Sequence, residues 1–296
     1  MTLFLSLLLN GLSLGALYAL IALGFSVIFK ASEVVSFMHG SLLLFGAYTT
    51  ARLAADLPFG IAVLLGIGLT AGVGLLVERL LINRLRGSAV ISLAILTIGV
   101  DIILVTELIR RIGSDIINMP SPWSGDSLSA GGIGISTNRA LAMLVAAVLI
   151  GLFFAAFRFS DWGVAMRANA EDGETAALMG IRPGRVSAVA WIVGASLAAV
   201  AGLFLVGSPT PGVQPGIQFV ALRAFPAAIL GGLDSTGGAL VGGLIIGLAE
   251  SFAAGYQDQL LFLGRGFSAV VPYVVMILVL LVRPSGLFGT KELTRV

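Results

Sequence analysis

The chain has 296 residues, of which 58% are hydrophobic and only 11% are charged, and its mean hydropathy is +1.06. A soluble domain carries roughly 25% charged residues, so this composition excludes a soluble globular protein and predicts a surface that faces lipid. The net charge of +2 includes no basic run interleaved with aromatic residues, so nucleic acid is not an expected partner, and the absence of cysteine excludes disulfides and thiolate metal sites.

Nine apolar runs follow one another along the chain. A helix needs about 20 apolar residues to cross the hydrocarbon core, and none of these runs alternates apolar and polar residues as a barrel strand does. The sequence therefore predicts an all-α fold: a single transmembrane domain over residues 1–296, built as a polytopic bundle of about eight to ten transmembrane or re-entrant helices. The second and seventh runs are short and interrupted by glycine or charge, which leaves open whether they are full spans. The runs are 4–29, 39–55, 58–77, 88–108, 139–157, 188–207, 219–233, 237–256 and 267–282.

Lys and Arg are distributed unequally between the two sides that nine spans define. Eleven of them fall on the side of the C-terminus and five on the side of the N-terminus. Since cytoplasmic loops carry the excess of basic residues, we expect the C-terminus in the cytoplasm and the N-terminus outside. The eleven are Lys30, Arg79, Arg84, Arg86, Arg158, Arg167, Arg182, Arg185, Arg283, Lys291 and Arg295, and the five are Arg52, Arg110, Arg111, Arg139 and Arg265.

Residues for enzyme chemistry are scarce. A phosphate-binding loop of the form G-x-x-x-x-G-K-[ST] is absent, because no Gly-Lys pair occurs anywhere in the chain. The only histidine, His39, has no carboxylate cluster nearby, so it predicts neither a metal site nor a general base. We expect it to be a hydrogen-bonded residue at a helix start. These residues therefore predict no catalytic residue and no bound metal or cofactor, so the chain is not expected to be an enzyme.

Charged residues inside the predicted spans are few, and such residues usually serve a function. Asp101 lies deep in the fourth run, Arg223 begins the seventh, and Glu250 ends the eighth. Two interpretations of Asp101 are open: it lines a substrate path, or it pairs with a neighbour such as Arg223 and serves packing alone. For Glu250, near an interface, the structural interpretation is favoured.

Small residues recur at four-residue spacing in the first and eighth runs. Such faces let membrane helices approach closely, either within one subunit or between two subunits, and the sequence leaves both open. The residues predicted to serve helix packing are Gly11, Gly15, Gly238, Gly242, Gly243 and Gly247. Polar groups near the small face of the first run are candidates for lining a substrate path, and they are Asn10, Ser13 and Tyr18.

The segment 231–238 (GGLDSTGG) contains four glycines, each of which costs about 1 kcal/mol in a helix interior. One interpretation is a helix broken inside the membrane, as in transporter sites, which places Asp234 near the cytoplasmic end of a substrate path. The other interpretation is a tight turn between two helices.

The segment 158–187 is polar but has helical periodicity. Acidic residues open the pattern, where they complement the helix dipole, and Gly180 is the expected stop before Pro183. We expect a short helix across the cytoplasmic face with an apolar tip at Leu178 and Met179. Such a tip suits a groove on a partner protein better than it suits a solvated connector.

This segment resembles the cytoplasmic coupling loop of ATP-binding-cassette (ABC) importer permeases. Glu174-Thr175-Ala176-Ala177 followed by Gly180 stands where those permeases have a Glu-Ala-Ala…Gly pattern, with a threonine inserted and a shorter spacing to the glycine. The resemblance implies that the residues in contact with an ATPase are Arg167, Glu171, Asp172, Glu174, Ala176, Ala177, Leu178 and Gly180.

Further motifs, in order along nearly the whole chain, resemble the permeases of the high-affinity branched-chain amino-acid uptake family, and most closely the smaller of its two permease types. These motifs include 11–24 (GLSLGALYALIALG), 34–40 (VVSFMHG), 162–168 (WGVAMRA), 224–232 (AFPAAILGG) and 283–289 (RPSGLFG).

The resemblance implies an ABC importer permease in a bacterial inner membrane, with branched-chain or other hydrophobic amino acids as substrates. Its implied partners are a second permease, identical or different, two ABC ATPase subunits that bind ATP and Mg²⁺, a periplasmic or extracellular substrate-binding protein, and membrane lipid. Two alternatives stay open: a permease for urea or short amides in the same family, and a stand-alone secondary transporter.

Overall fold

The computed structural model describes residues 2–120, 122, 127–130, 133–207 and 212–290. This part of the chain forms eleven α-helices and a short antiparallel β-hairpin. The third helix continues through a wide turn at Glu78–Ile82 and a tighter one at Asn83–Leu85. The elements are α1 (Thr2–Ser32), α2 (His39–Leu53), α3 (Phe59–Val77), α4 (Val90–Ile112), β1 (Ser127–Ala130), β2 (Ile133–Ser136), α5 (Thr137–Phe159), α6 (Asp161–Glu171), α7 (Gly173–Leu178), α8 (Pro183–Val206), α9 (Gln218–Gly231), α10 (Thr236–Gly255) and α11 (Val271–Val282).

Six of these helices are long and apolar enough to cross a membrane: α1, α3 with its continuation, α4, α5, α8 and α10. Three shorter helices, α2, α9 and α11, have 15, 14 and 12 residues. The predicted all-α membrane bundle is confirmed, and each of the nine apolar runs overlaps one of these nine helices. The second and seventh runs, α2 and α9, are short as predicted, and the ninth run, α11, is shorter still.

Contacts between distant residues define two ends of the bundle. At the end that carries α6 and α7, called here the loop end, Lys30 Nζ donates to the carbonyl oxygen of Asp234 at 3.0 Å. At the opposite end, called here the hairpin end because β2 packs on α1 there, Ser251 Oγ donates to the carbonyl oxygen of Leu7 at 2.8 Å. Successive members of the nine helices point in opposite directions along the bundle. α1 therefore begins at the hairpin end, and Thr290, beyond α11, lies at the loop end beside Asp234.

Helices α1 and α8 form the centre of the bundle. Within their most apolar stretches, 78% of α1 and 72% of α8 are buried, against 11% of α4 and 17% of α5. Trp191 of α8 and Tyr18 of α1 are among the largest fully buried side chains. Since helices that are apolar all round are buried by other helices or by lipid, the outer faces of α4 and α5 are left for lipid or another subunit.

The small-residue faces that the sequence predicts lie between α1 and α10. Gly11 and Gly15 face Leu248 and Leu244, and a Cβ atom added at Gly15 would lie only 3.0 Å from the Cα of Leu244. On the α10 side of the same contact, Gly247 lies directly against the backbone of Gly15. The absence of side chains on both helices therefore brings the two backbones into contact.

A second small face of α10 packs against α9. Gly238 and Gly242 lie against the backbone of Gly231 and Ala227, while Gly243 completes the contact with α1. All six predicted glycines therefore lie at contacts between helices of this chain.

The glycine-rich segment between α9 and α10 is a tight turn at the loop end, so the interpretation as a helix broken inside the membrane is wrong. α9 ends at Gly231, and Gly232 has a φ of 99°, which glycine adopts without strain. Ser235 then caps α10 by accepting the backbone N–H of Gly238 at 3.0 Å.

Candidate functional site

A pocket of about 720 Å³ opens at the hairpin end between α1, α5, α8, α9 and α10. Its volume falls within the roughly 300–1,000 Å³ of small-molecule sites. Two of the predicted path residues, Asn10 and Ser13, line it. The apolar lining residues include Leu14, Leu17, Phe204, Ile217 and Val220, and the polar ones are Asn10, Ser13, Asn138, Arg139, Gln214, Glu250 and Ser251.

A buried hydrogen-bonded network stands beside this pocket. Tyr18 Oη donates to Glu250 Oε2 at 2.5 Å, and Arg223 Nη1 donates to Glu250 Oε1 at 3.1 Å. Tyr18 is 1% exposed and Glu250 is 7% exposed. A carboxylate at such a depth requires a partner for its charge and its lone pairs, and this one has both. Tyr18, the third predicted path residue of α1, therefore reaches the pocket only through Glu250.

Arg139 stands in the first turn of α5, which Ser136 caps by accepting the backbone N–H of Arg139 at 3.4 Å. Its guanidinium donates to the amide oxygen of Asn10, and its carbonyl oxygen accepts from Ser13 Oγ at 3.3 Å. Both contacts tie α5 to α1. None of the carboxylates in the described part of the chain forms an ion pair with Arg139.

Asp101 and Asp234, the other two predicted path residues, lie away from the pocket. Asp101 accepts the backbone N–H of Ser41, in the first turn of α2, at 3.2 Å. The alternative pairing of Asp101 with Arg223 is wrong, because Arg223 pairs with Glu250. Asp234 accepts both the backbone N–H of Thr290, at 2.9 Å, and its hydroxyl, so this carboxylate anchors the segment after α11 at the loop end.

A break in the helical path does occur at membrane depth, but it lies between α1 and α2. Residues 33–38 are non-helical and largely buried, and Thr97 Oγ1 accepts the backbone N–H of Phe37 at 3.1 Å. Asp101, which holds the start of α2, is about 16 Å along α4 from its loop-end start. That depth is about half of a hydrocarbon core of roughly 30 Å. Non-helical backbone is tolerated there only with polar partners from the protein, and α4 supplies them.

His39 is the first residue of α2, as expected, but the expectation that it is hydrogen-bonded is wrong. Neither ring nitrogen has a hydrogen-bond partner among the residues that the structure describes. The ring stacks on Phe25 with the centroids 4.2 Å apart, and a Cβ atom added at Gly24 would lie 2.6 Å from Nε2. The imidazole therefore fills the space that Gly24 leaves and packs α2 on α1.

The predicted coupling loop forms two short helices, α6 and α7, where a single helix was expected. Asp172 separates them: its Oδ1 accepts the backbone N–H groups of Glu174 and Thr175, each at 3.0 Å. A side chain that captures these donors starts a new helix in competition with continuation of the old one. Gly180, with a φ of 90°, follows α7 as the predicted stop.

The apolar tip that the sequence predicts is present at the end of α7. Leu178 is 88% exposed and Met179 is 81% exposed, whereas Ala176 is buried. Arg167 points back to the bundle, where it donates to the carbonyl oxygen of Phe157 and lies over the ring of that residue. The remaining members of the predicted coupling set are exposed, and they are Glu171, Asp172, Glu174, Ala177 and Gly180.

Replacing Asp172 by alanine is expected to loosen α7 without affecting the bundle. The hydroxyl and the backbone N–H of Thr175 donate to the Asp172 carboxylate and lower its pKa, and the N–H of Glu174 adds to this. A depressed pKa stabilises the fold above the unfolded value, about 3.9, and the stabilisation is lost as the pH falls through the folded pKa. Protection against hydrogen exchange, taken relative to the intrinsic exchange rate at each pH, should therefore fall several-fold at Glu174 and Thr175 in D172A, and in the wild type at low pH.

Asp172→Ser is the matched control, because serine is also a good helix cap but carries no carboxylate. D172S should keep the protection of α7 at neutral pH, and this protection should no longer fall at acid pH. Equal exchange in D172A and the wild type would contradict the capping role.

Comparison with known proteins places the chain in a family. Residues 7–280 match the family model described as the permease component of the branched-chain amino acid transport system. The chain belongs to this family. LivH of Escherichia coli K12, a high-affinity branched-chain amino acid transport system permease protein, is 34% identical over 99% of this chain and 98% of its own length. BraD of Pseudomonas aeruginosa, described in the same words, is 34% identical over the same shares of the two chains.

A solved structure has a similar fold. PsaBC from Streptococcus pneumoniae, in complex with Fab, aligns with a TM-score of 0.51 and 14% sequence identity over 93% of this chain and 91% of that one. The resemblance that the motifs indicated is confirmed. The chain is thus a transport permease of the multi-pass inner-membrane class and not an enzyme.

Sequence reasoning missed the charged residues that bring the site together. In the sequence, Arg139 contributed only to the count of basic residues that predicted the orientation, and Glu250 was assigned to packing. The available signal was that Arg223 and Glu250 stand in consecutive apolar runs with no other ionisable residue between them except Asp234. Two opposite charges in adjacent antiparallel helices are candidates for a pair.

Proposed function

We propose that this chain is the permease subunit of an ABC importer for branched-chain or other hydrophobic amino acids. The observation that carries the proposal is the separation of two features at opposite ends of one bundle. The exposed apolar tip of Leu178 and Met179 lies at the loop end, and a mainly apolar pocket with a few polar groups opens at the hairpin end. Delivery of a solute at one end and a mechanical input at the other is what an ATP-driven importer needs.

The excess of basic residues supports an orientation with the loop end in the cytoplasm and the hairpin end outside. The C-terminus is then cytoplasmic and the N-terminus external. In this orientation the pocket faces a periplasmic or extracellular substrate-binding protein, and α6 and α7 face an ATPase. ATP and Mg²⁺ are bound by two ATPase subunits, since this chain carries no phosphate-binding loop.

A second permease subunit, identical or different, completes the translocation path in this proposal. The outer faces of α4 and α5 are apolar and little buried, as in Ile103, which is 73% exposed, and Leu152, which is 61% exposed. These faces contact lipid or the second permease. Relatives named for branched-chain amino acid transport support the proposed substrate class.

Cysteine crosslinking in the assembled complex tests the docking of α7. Because the chain has no cysteine, Ala177→Cys introduces its sole thiol. A177C should crosslink with single cysteines placed in the groove of the ATPase, while Ser114→Cys, exposed at the hairpin end, should not. Absence of any crosslink at A177C, in a complex that still transports, would contradict the proposed docking.

A charged residue in the apolar tip should uncouple leucine uptake from ATP hydrolysis in the complex. Leu178→Asp is expected to lower ATP-driven leucine uptake at least about tenfold, because burying an unpaired carboxylate in a docking groove is costly. Ile116→Asp is the matched control, since Ile116 is also an exposed aliphatic residue, 57% exposed, at the other end. Gradient-driven uptake by the purified chain alone in liposomes, without ATP, would favour the stand-alone transporter instead.

A further inference from the structure

We propose that Arg139 is the group that receives the α-carboxylate of the transported amino acid, in the pocket at the hairpin end. This inference rests on the proposed function, because it assumes that the cargo is an amino acid. It adds a specific site and a chemical requirement: the ligand must carry a free carboxylate next to an ammonium group.

The charges around the pocket are unequal. Two ionisable side chains of the described chain line it, Arg139 and Glu250. Glu250 already has a cation, Arg223, at 3.1 Å, and a hydroxyl donor, Tyr18, at 2.5 Å. Arg139 has only the neutral amide of Asn10 as its side-chain partner among the described residues. Among the residues that the structure describes, the pocket therefore has one uncompensated positive charge in a mainly apolar setting.

A carboxylate ligand satisfies this arrangement. Guanidinium groups present several N–H donors in one plane and bind carboxylates through paired, charge-assisted hydrogen bonds. Within the described part of the chain, the single side-chain contact with Asn10 leaves most of these donors available. Arg139 also lies in the first turn of α5, where the positive end of the helix dipole favours an anion. The carboxylate of a ligand at Arg139 is thus attracted both by the guanidinium charge and by the positive end of the α5 dipole.

The rest of the pocket fits the other parts of an apolar amino acid. Among the described residues, Glu250 is the carboxylate that lines the pocket, and its lone pairs can accept from an ammonium group in addition to Tyr18 and Arg223. The hydroxyl of Ser251 lies one residue further along α10. Leu14 and Leu17 of α1 and Val220 of α9 form apolar lining that suits a branched aliphatic side chain. An amide or urea has no carboxylate for Arg139, so this site discriminates against the short-amide alternative.

Thiol protection is the direct test. Ala254→Cys places the only thiol of the chain at an exposed position of the pocket lining, and its alkylation is measured in membranes that contain the assembled complex. Millimolar L-leucine should slow the alkylation of A254C. L-leucinamide, which keeps the side chain and the amino group but has no carboxylate, should protect roughly tenfold to a hundredfold less well, as expected for loss of a charge-assisted hydrogen-bonded pair. Ser114→Cys, outside the pocket lining, should be alkylated equally with and without leucine.

Variants of Arg139 complete the test. In the A254C background, Arg139→Gln should abolish the difference between leucine and leucinamide, and Arg139→Lys, which keeps the charge, should keep part of it. Elution as a single species in size-exclusion chromatography confirms that each variant is folded. If R139Q does not fold, the comparison of R139K with the wild type still tests the inference. Equal protection by leucine and leucinamide would overturn the inference, as would protection by leucine that survives in R139Q.

The outcomes separate this inference from the proposed function. If the complex takes up leucine with ATP but leucine gives no protection of A254C, the Arg139 site is wrong and the importer assignment stands. If the complex takes up no amino acid and transports an amide or urea, the proposed substrate class is wrong and the Arg139 site is overturned with it.

Discussion

Replacing Gly247 by leucine is expected to remove the folded permease from the membrane. Gly247 of α10 lies against the backbone of Gly15 in α1, and a side chain there has no space without separation of the two helices. Overpacking by even a few methylenes costs about 1–3 kcal/mol in a well-packed core. A leucine between two backbones exceeds that range, because neither helix backbone can move aside as a side chain does. The measurement is the amount of monodisperse protein recovered after detergent extraction.

Alanine substitutions give a sharper form of the same prediction. Alanine is favoured over glycine inside a helix by roughly 0.5–1 kcal/mol, so Gly151→Ala on the open face of α5, where a Cβ atom meets nothing within 4 Å, should be neutral or stabilising. Gly247→Ala makes the same chemical change, but it should lower the melting temperature. If G247A and G151A have equal melting temperatures, the close contact of α1 and α10 does not limit stability.

Removing the carboxylate of Glu250 is expected to have the second largest effect. Glu250→Ala leaves the hydroxyl of Tyr18 and the guanidinium of Arg223 without their partner. Breaking a buried ion pair costs about 3–5 kcal/mol, but the side chain of Arg223 is 36% exposed, so the pair is only partly buried and the loss is smaller. We therefore expect about 2 kcal/mol of destabilisation and a clear fall in melting temperature. Leucine uptake should fall as well, because Glu250 lines the pocket.

A double-mutant cycle identifies the pair as the cause. Arg223→Ala in the E250A background should cost much less than Arg223→Ala alone, since the partner is already missing. The exposed ion pairs of Glu107 with Arg110 and Arg111 provide the control. Glu107→Ala should change the melting temperature little, because exposed pairs contribute little to stability. Additive effects of R223A and E250A would show that the two residues act independently.

Several features of this protein could be predicted from local sequence because local composition causes them. Long apolar runs require a lipid or protein environment along their whole length, so they predicted nine helices in the order that the structure has. Glycines at four-residue spacing predicted close helix contacts through Gly15 and Gly247. The polar segment with an apolar end predicted the exposed tip at Leu178, because neither lipid nor the bundle can cover both parts.

Other features depend on which distant residues meet, and local sequence contains little information about that. The glycine-rich segment at Gly231 and the segment 33–38 both interrupt helices, yet only the second lies at membrane depth. The decisive difference is on α4, where Thr97 accepts a backbone N–H of the second segment and Asp101 accepts the backbone N–H of Ser41 in the first turn of α2. Hydrogen-bonding of His39 was expected from its polarity, whereas the position of Phe25 and Gly24 makes it a packing residue.

The sequence by itself determined that this protein is a membrane bundle, that it has a helical segment with an exposed apolar tip, and that it carries no phosphate-binding loop of its own. Only the tertiary structure decided that Arg223 neutralises Glu250 and that Arg139, 111 residues before Glu250 in the chain, shares a pocket with it. The physical reason is that the partition of a helix into lipid depends on its own residues, whereas the charge balance of a pocket depends on side chains from several helices at once.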